Sequence, residues 1–141
     1  MYLLRNKARI APQGTEAVRA MHAYVESSSI EPQLRCLITV RVSRLLLGRA
    51  ECAHALDRAM ICGLSPEKVL SIASWRDSYI FDEREKAALA WTELVTSFEL
   101  ANVDSVFDGV SCYFTDGELI DLTLAIASAN FDCCLALVVQ P

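Results

Sequence analysis

The sequence predicts an all-α protein of about six helices, folded as a single domain over residues 1–141. Apolar residues recur three and four positions apart through most of the chain, which is typical of helices with one buried face. Several segments begin with patterns that start helices, and the two-residue alternation of strands is almost missing. A length of 141 residues is usual for one domain.

The first half of the chain predicts three helices. Thr15–Ser27 carries one apolar stripe, formed by Ala17, Val18, Met21, Tyr24 and Val25. Glu31-Pro32 begins a second helix that runs to Leu47, because proline suits the first turn and Gly48 follows the last apolar residue. A third helix is expected over about 50–62, closed by Gly63 in the left-handed conformation.

The second half repeats these signals. Ser65-Pro66 opens a short helix to about Ser74. Asp82 with Glu85 forms a capping-box pattern ahead of a helix over 86–97, and an amphipathic segment follows over 103–114. Thr115 with Glu118 is a second capping-box pattern, which opens the long final helix.

Composition limits the classes of partner. The net charge is −5 and the basic residues are scattered singly, so we expect no nucleic-acid partner. The most apolar segment, 119–139, is interrupted by Asp121, Asn130 and Asp132, which disfavours a membrane span. With no signal-peptide pattern, the sequence predicts a soluble, cytoplasmic protein. Hydrophobic residues reach 53%, a surplus that favours a homo-oligomer.

The six cysteines are predicted to be reduced and mostly structural. All except Cys52 lie among apolar neighbours at positions typical of a helix interior, where a thiol behaves as a small hydrophobic group. The adjacent Cys133 and Cys134 point about a hundred degrees apart on a helix, which does not suit one metal ion. We therefore expect no metal and no cofactor.

Three segments in order resemble the carboxymuconolactone decarboxylase family, in its alkylhydroperoxidase D-like branch. They are LRCLITVRVS over 34–43, FDEREKAALAWTE over 81–93, and FTDGELIDLTLAIA over 114–127 with Asn130. The resemblance covers nearly the whole chain. It implies an all-helical fold assembled into trimers or hexamers.

In the redox-active branch, the resemblance implies a Cys-x-x-Cys pair at a helix start, a His four residues after the second Cys, and a Glu twelve residues before the first. Aligned through 41–43, the Glu position is Cys36, the cysteine positions are Gly48 and Glu51, and the His position is Ala55. None of the four residues is kept. The sequence therefore predicts a peroxidase-related protein without two-cysteine peroxidase activity, which keeps a small-ligand pocket.

Candidate site residues lie at the start of the helix expected over 50–62. Glu51, Cys52 and His54 place an acid, a thiol and an imidazole together. They also resemble a cysteine-free family pattern, Glu-Trp-Ala-His-His. We expect the pocket wall to include the following residues: Cys36, Gly48, Ala55, Trp75 and Asn130.

Alternatives remain open at this point. Cys52 is the nucleophile of a thiol peroxidase in one, and Glu51 with His54 transfers protons in a decarboxylase or isomerase in another. Each candidate also has a plain structural interpretation, because first-turn acids complement the helix dipole and a helical His is usually structural. A purely structural oligomer is the third possibility.

Overall fold

A computed structural model of the chain describes residues 7–48 and 62–138. Its α-helices are α1 (Lys7–Ile10), α2 (Pro12–Ser27), α3 (Pro32–Leu47), α4 (Pro66–Ser71), α5 (Glu83–Ser97), α6 (Val103–Ser111) and α7 (Asp116–Ala136). Two 3₁₀ segments, Ile72–Asp77 and Leu100–Asn102, precede α5 and α6. No strand occurs among the described residues. The predicted all-α class is confirmed.

Three helices begin at the polar capping residues that the sequence predicts. Ser65 accepts a hydrogen bond from the Lys68 amide at 3.2 Å. Asp82 and Thr115 each close a capping box, and the Asp82 carboxylate accepts from the Glu85 amide at 2.8 Å. These bonds satisfy amides that a helix start would otherwise leave without acceptors. Each capping prediction is confirmed.

The core lies where α3, α5 and α7 pack together. Each contributes side chains that are entirely shielded from solvent, namely Leu37, Ile38, Val40 and Val42 of α3, Ala88 and Leu89 of α5, and Leu122 and Ile126 of α7. Trp91 joins α5 to α7, because its indole N–H donates to the Thr123 hydroxyl at 2.9 Å. Ile72 extends this core to the 3₁₀ segment after α4.

Helix α2 is less buried than its apolar stripe predicts. None of its residues is buried, and Ala17 and Tyr24 of that stripe are exposed. The helix packs against α7, and polar pairs contribute to that contact. Tyr24 donates to Asp121 at 2.6 Å, and Asp121 also accepts from the Ser29 amide at 3.1 Å and the Ser29 hydroxyl at 2.8 Å.

Helix α7 is both a core helix and an outer surface. By length and composition it is apolar enough to cross a membrane, and core residues such as Leu122 and Ile126 account for part of that character. Its opposite side exposes Ile120, Leu124 and Phe131, which are 62%, 37% and 40% accessible. The amphipathic packing places this helix over the core with an uncovered apolar stripe.

Candidate functional site

A polar cavity of about 220 Å³ opens between α2, α3 and α7 beside Cys62. Its wall mixes charged, hydroxyl and sulfur groups with small apolar side chains. The lining residues are His22, Val25, Glu26, Pro32, Arg35, Cys36, Thr39, Cys62, Ala125, Ser128, Ala129 and Asp132. We call this cavity the polar pocket. Its size suits a small molecule, and its groups can bond to one.

His22 and Asp132 form a pair across one wall of the polar pocket. The Nε2 atom of His22 lies 2.9 Å from Oδ1 and 3.0 Å from Oδ2 of Asp132. Both side chains keep about two-fifths of their accessible surface, so neither is sealed from the cavity. A carboxylate fixes the orientation of an imidazole, and an imidazole is the side chain that most readily exchanges protons near neutral pH.

Cys36 of α3 and Cys62 form a disulfide in the wall of this pocket, with their Cα atoms 6.6 Å apart. The prediction that the cysteines are reduced is wrong for this pair. Both residues keep intermediate exposure, so the bridge is not an enclosed core feature. The two residues are 26 apart in sequence, and a disulfide needs a Cα separation that sequence spacing alone does not reveal.

The remaining described cysteines differ from that pair. Cys112 and Cys134 are exposed, so the expectation that these thiols are buried as small hydrophobic groups is wrong for both. Cys112 follows the last turn of α6, and Cys134 lies on the outer side of α7. Cys133 is buried as expected, with its Sγ atom 3.9 Å from the Ser43 hydroxyl.

Arg35 builds the edge of the polar pocket by joining α3 to the end of α2. Its Nη1 atom donates to the carbonyls of Val25, Glu26 and Ile30, at 3.0, 2.7 and 3.2 Å. A cation at a helix C-terminus satisfies carbonyls that lack intrahelical partners and complements the helix dipole. Arg35 therefore fixes α2 against α3, and with them the positions of His22 and Cys36.

A second cavity of about 330 Å³ lies next to the first, and His22 lines both. Its wall is mostly apolar and comes from α2, the residues before it and the last turns of α7. The lining residues are Ala11, Gly14, Thr15, Val18, Arg19, His22, Phe131 and Leu135. His22 therefore separates a polar cavity from a more apolar one.

The residues predicted to be catalytic, Glu51, Cys52 and His54, lie outside the described residues, and so does Ala55. Gly48 is described, and it ends α3 with φ +73° and ψ −173°. Only glycine adopts this conformation readily. A Cβ there would meet no atom within 4 Å, so the backbone conformation rather than lack of space is what favours glycine.

Trp75, predicted in the pocket wall, is a buried residue that donates its indole N–H to Glu93 at 2.7 Å. Glu93 also accepts from Arg41, at 2.6 and 3.0 Å, and from Arg76 at 2.7 Å. Burial alone would raise the pKa of Glu93, but hydrogen bonds from Trp75, Arg76 and Arg41, together with the Arg41 charge, hold it below its usual value. This cluster joins α3, α5 and the 3₁₀ segment.

Asn130 was also predicted in the pocket wall. Its amide donates to the Thr96 hydroxyl at 3.2 Å and to the Ile126 carbonyl at 2.9 Å. It joins α7 to α5 and is not in the wall of the polar pocket, whereas Cys36 is. Of the predicted wall residues that are described, only Cys36 lines that cavity.

Sequence reasoning overlooked His22, Asp132 and Cys62. Asp132 was treated only as an interruption of the apolar segment 119–139. The signal that could have found this pair is Asp132, because a carboxylate on a largely apolar helix needs a cation or an imidazole as its partner. In residues 7–48 and 62–138 no group of three His, Cys, Asp or Glu side chains could hold a metal ion. The predicted lack of a metal or cofactor stays a prediction.

Comparisons with known proteins agree with this architecture. The chain is 29% identical to the uncharacterized protein YdfG of Bacillus subtilis over 126 residues, which cover 86% of this chain and 83% of that protein. It is 25% identical over 107 residues to the uncharacterized protein YnjA of Escherichia coli, and covers 57% of it. A crystal structure of a protein of unknown function from Agrobacterium tumefaciens, whose suggested role is antioxidant defence as AhpD, superposes with a TM-score of 0.83.

That structure is 31% identical in sequence, and the match covers 94% of this chain and 91% of the other. A sequence model described as the carboxymuconolactone decarboxylase family matches residues 12–94, which include α2, α3 and most of α5. The chain therefore belongs to the carboxymuconolactone decarboxylase family and has the fold of its alkylhydroperoxidase D-like branch.

Proposed function

We propose that this protein binds a small molecule in the polar pocket and does not run the Cys-x-x-Cys peroxidase relay of its family. The observation that carries the proposal is the cavity between α2, α3 and α7, where a His–Asp pair and two sulfur atoms line the same open pocket. A cavity of about 220 Å³ that is lined by an oriented imidazole can bind a ligand and exchange a proton with it.

The loss of the relay is supported at its first cysteine position. Gly48 occupies that position in a backbone conformation that L-residues rarely adopt, so a cysteine would be strained there. Glu51 occupies the second position and Ala55 the histidine position. An antioxidant role like the one suggested for the Agrobacterium protein could therefore not depend on a Cys-x-x-Cys pair in this chain.

We also propose a soluble, cytoplasmic homo-oligomer, a trimer or hexamer, with the outer stripe of α7 as the contact. Ile120, Leu124 and Phe131 are spaced four and seven residues apart, so they lie on one side of the helix and are all exposed. Such stripes are costly in water and are commonly covered by a second copy of the chain. Light scattering tests this, because Leu124→Glu should lower the oligomeric mass while Leu70→Glu, at an exposed leucine of α4, should not.

The pocket proposal is tested by native mass spectrometry of freshly purified protein. Glu26 lies at the end of α2 and is exposed, so Glu26→Trp should crowd the polar pocket without disturbing the core. Glu16→Trp, on the same helix but not lining that cavity, is the control. We expect a small molecule of defined mass on the wild type and on Glu16→Trp, and much less on Glu26→Trp. Wild-type protein that carries nothing, or equal occupancy in all three proteins, would contradict the proposal.

The relay proposal is tested by turnover of cumene hydroperoxide with dithiothreitol as reductant. We expect no turnover that depends on Cys52, so wild type and Cys52→Ser should consume the hydroperoxide equally slowly. Fast turnover that Cys52→Ser abolishes would support a thiol peroxidase instead. Proton transfer that requires both Glu51 and His54, on a lactone or carboxylate substrate, would support the decarboxylase-like alternative.

A further inference from the structure

The Cys36–Cys62 disulfide lies where a small molecule can reach it. Both residues line the polar pocket, and both keep intermediate exposure. Cys133, in contrast, is buried against Ser43, and Cys112 and Cys134 lie on open surface. Among the described cysteines, Cys36 and Cys62 alone combine a partner sulfur with this cavity.

The same cavity contains a group that can handle the proton of a thiol. His22, oriented by Asp132, lines the pocket together with both cysteines. A disulfide is attacked by a thiolate rather than a thiol, so a proton acceptor near the bridge speeds exchange. Among the described residues, the ionisable side chains that line the cavity besides the two cysteines are His22, Glu26, Arg35 and Asp132, and Nη1 of Arg35 already donates to backbone carbonyls.

We propose that Cys36–Cys62 is an exchangeable disulfide and that the ligand of the polar pocket is a low-molecular-weight thiol. This rests on the proposed function, because the thiol must enter that same pocket. The space of about 220 Å³ is large enough for a small thiol. The site differs from the Cys-x-x-Cys positions, which are Gly48 and Glu51 here.

The exchange balances as two successive steps. The incoming thiol gives its proton to His22, and the thiolate attacks one sulfur of the bridge. A mixed disulfide forms, the Cys36–Cys62 bond breaks, and the released cysteine thiolate takes the proton back from His22. A second thiol then attacks the mixed disulfide and leaves as a small-molecule disulfide. Two thiols are oxidised by two electrons in total, and the protein gains two thiol groups.

The test uses the whole protein with 2-mercaptoethanol as the probe, quenched by acid and alkylation and analysed by peptide mass spectrometry. We expect a mixed disulfide of 2-mercaptoethanol on Cys36 or Cys62 under native conditions, followed by alkylation of both. His22→Gln should slow the step on the order of tenfold to a hundredfold. Glu16→Gln, on the same helix but outside the pocket, should leave the rate unchanged.

A bridge that opens only when urea unfolds the chain would overturn the inference, as would equal rates for wild type and His22→Gln. If Glu26→Trp loses its ligand while the bridge stays inert in the wild type, the proposed function survives and this inference fails. If Glu26→Trp exchanges as fast as wild type, the thiol does not enter through the polar pocket and the inference fails as well. Should His22→Gln misfold, the rate in Asp132→Asn replaces it.

Discussion

Reducing the Cys36–Cys62 bridge should lower the free energy of unfolding by a predictable amount. The bridge joins residues 26 apart in sequence and so closes a loop that the unfolded chain must also keep. The chain-entropy treatment of a loop of this length gives a loss of about 12 cal/mol/K, or about 3.5 kcal/mol at 25 °C. With a typical urea dependence of about 2 kcal/mol per M, the unfolding midpoint should fall by between about 1 and 2 M.

Urea unfolding of the oxidised and reduced wild type, followed by far-ultraviolet circular dichroism, measures this difference. Cys36→Ser/Cys62→Ser should unfold near the reduced wild type and should not respond to a phosphine reductant. Cys112→Ser/Cys134→Ser, which alters exposed thiols, is the control and should keep the full response to reduction. Identical midpoints for oxidised and reduced wild type would refute the reasoning, because no loop would then be closed in the unfolded chain.

Three further predictions concern the Glu93 cluster, which joins helices, and the Thr115 cap, which begins one. Glu93→Ala should lower the unfolding free energy by about 3 kcal/mol, because it leaves the largely shielded Arg41 and the Trp75 indole without an acceptor. Arg76→Ala should cost at most about 1 kcal/mol, since that side chain is 61% exposed, and equal costs in urea unfolding would contradict this ranking. The pKa of Glu93 is lowered on folding, so its stabilisation is present above the ordinary glutamate pKa and is lost as pH falls through the folded value. Glu93→Gln should therefore lose less stability than wild type on acidification from about pH 5 to about pH 3; an unchanged slope would refute this. Thr115→Ala should lower the free energy of unfolding by about 1 kcal/mol because the cap is lost, whereas Thr115→Ser should keep the cap and the stability. Equal thermal stability of the two variants would count against the capping role.

Local sequence signals were enough for the helix boundaries that depend on neighbouring residues. Ser65, Asp82 and Thr115 cap helices by accepting hydrogen bonds from amides three residues ahead, so a few neighbouring residues are enough to predict these helix starts. Gly63 adopts the predicted positive φ of 83° for the same local reason. The predicted helix over 50–62 lies almost entirely outside the described residues.

The site could not be predicted in the same way, because its groups are distant in sequence. His22 and Asp132 are 110 residues apart, and they meet only because α2 packs against α7. Cys36 and Cys62 are 26 residues apart, and that spacing does not predict that they pair. The resemblance to the family predicts site residues at 48–55, which lie almost entirely outside the described residues, whereas the described cavity is built from α2, α3 and α7. Helix packing, rather than residue spacing, decides which polar side chains share a cavity.

The central claim, that the sulfur chemistry of this chain lies at Cys36 and Cys62, is tested most directly by disulfide mapping of unreduced protein. The purified protein is kept free of reductant, its free thiols are blocked, the chain is digested, and linked peptides are identified by mass spectrometry. We predict one linked pair that contains Cys36 and Cys62, with Cys52 alkylated as a thiol. Alkylated Cys36 and Cys62, or a bridge that includes Cys52, would contradict the claim.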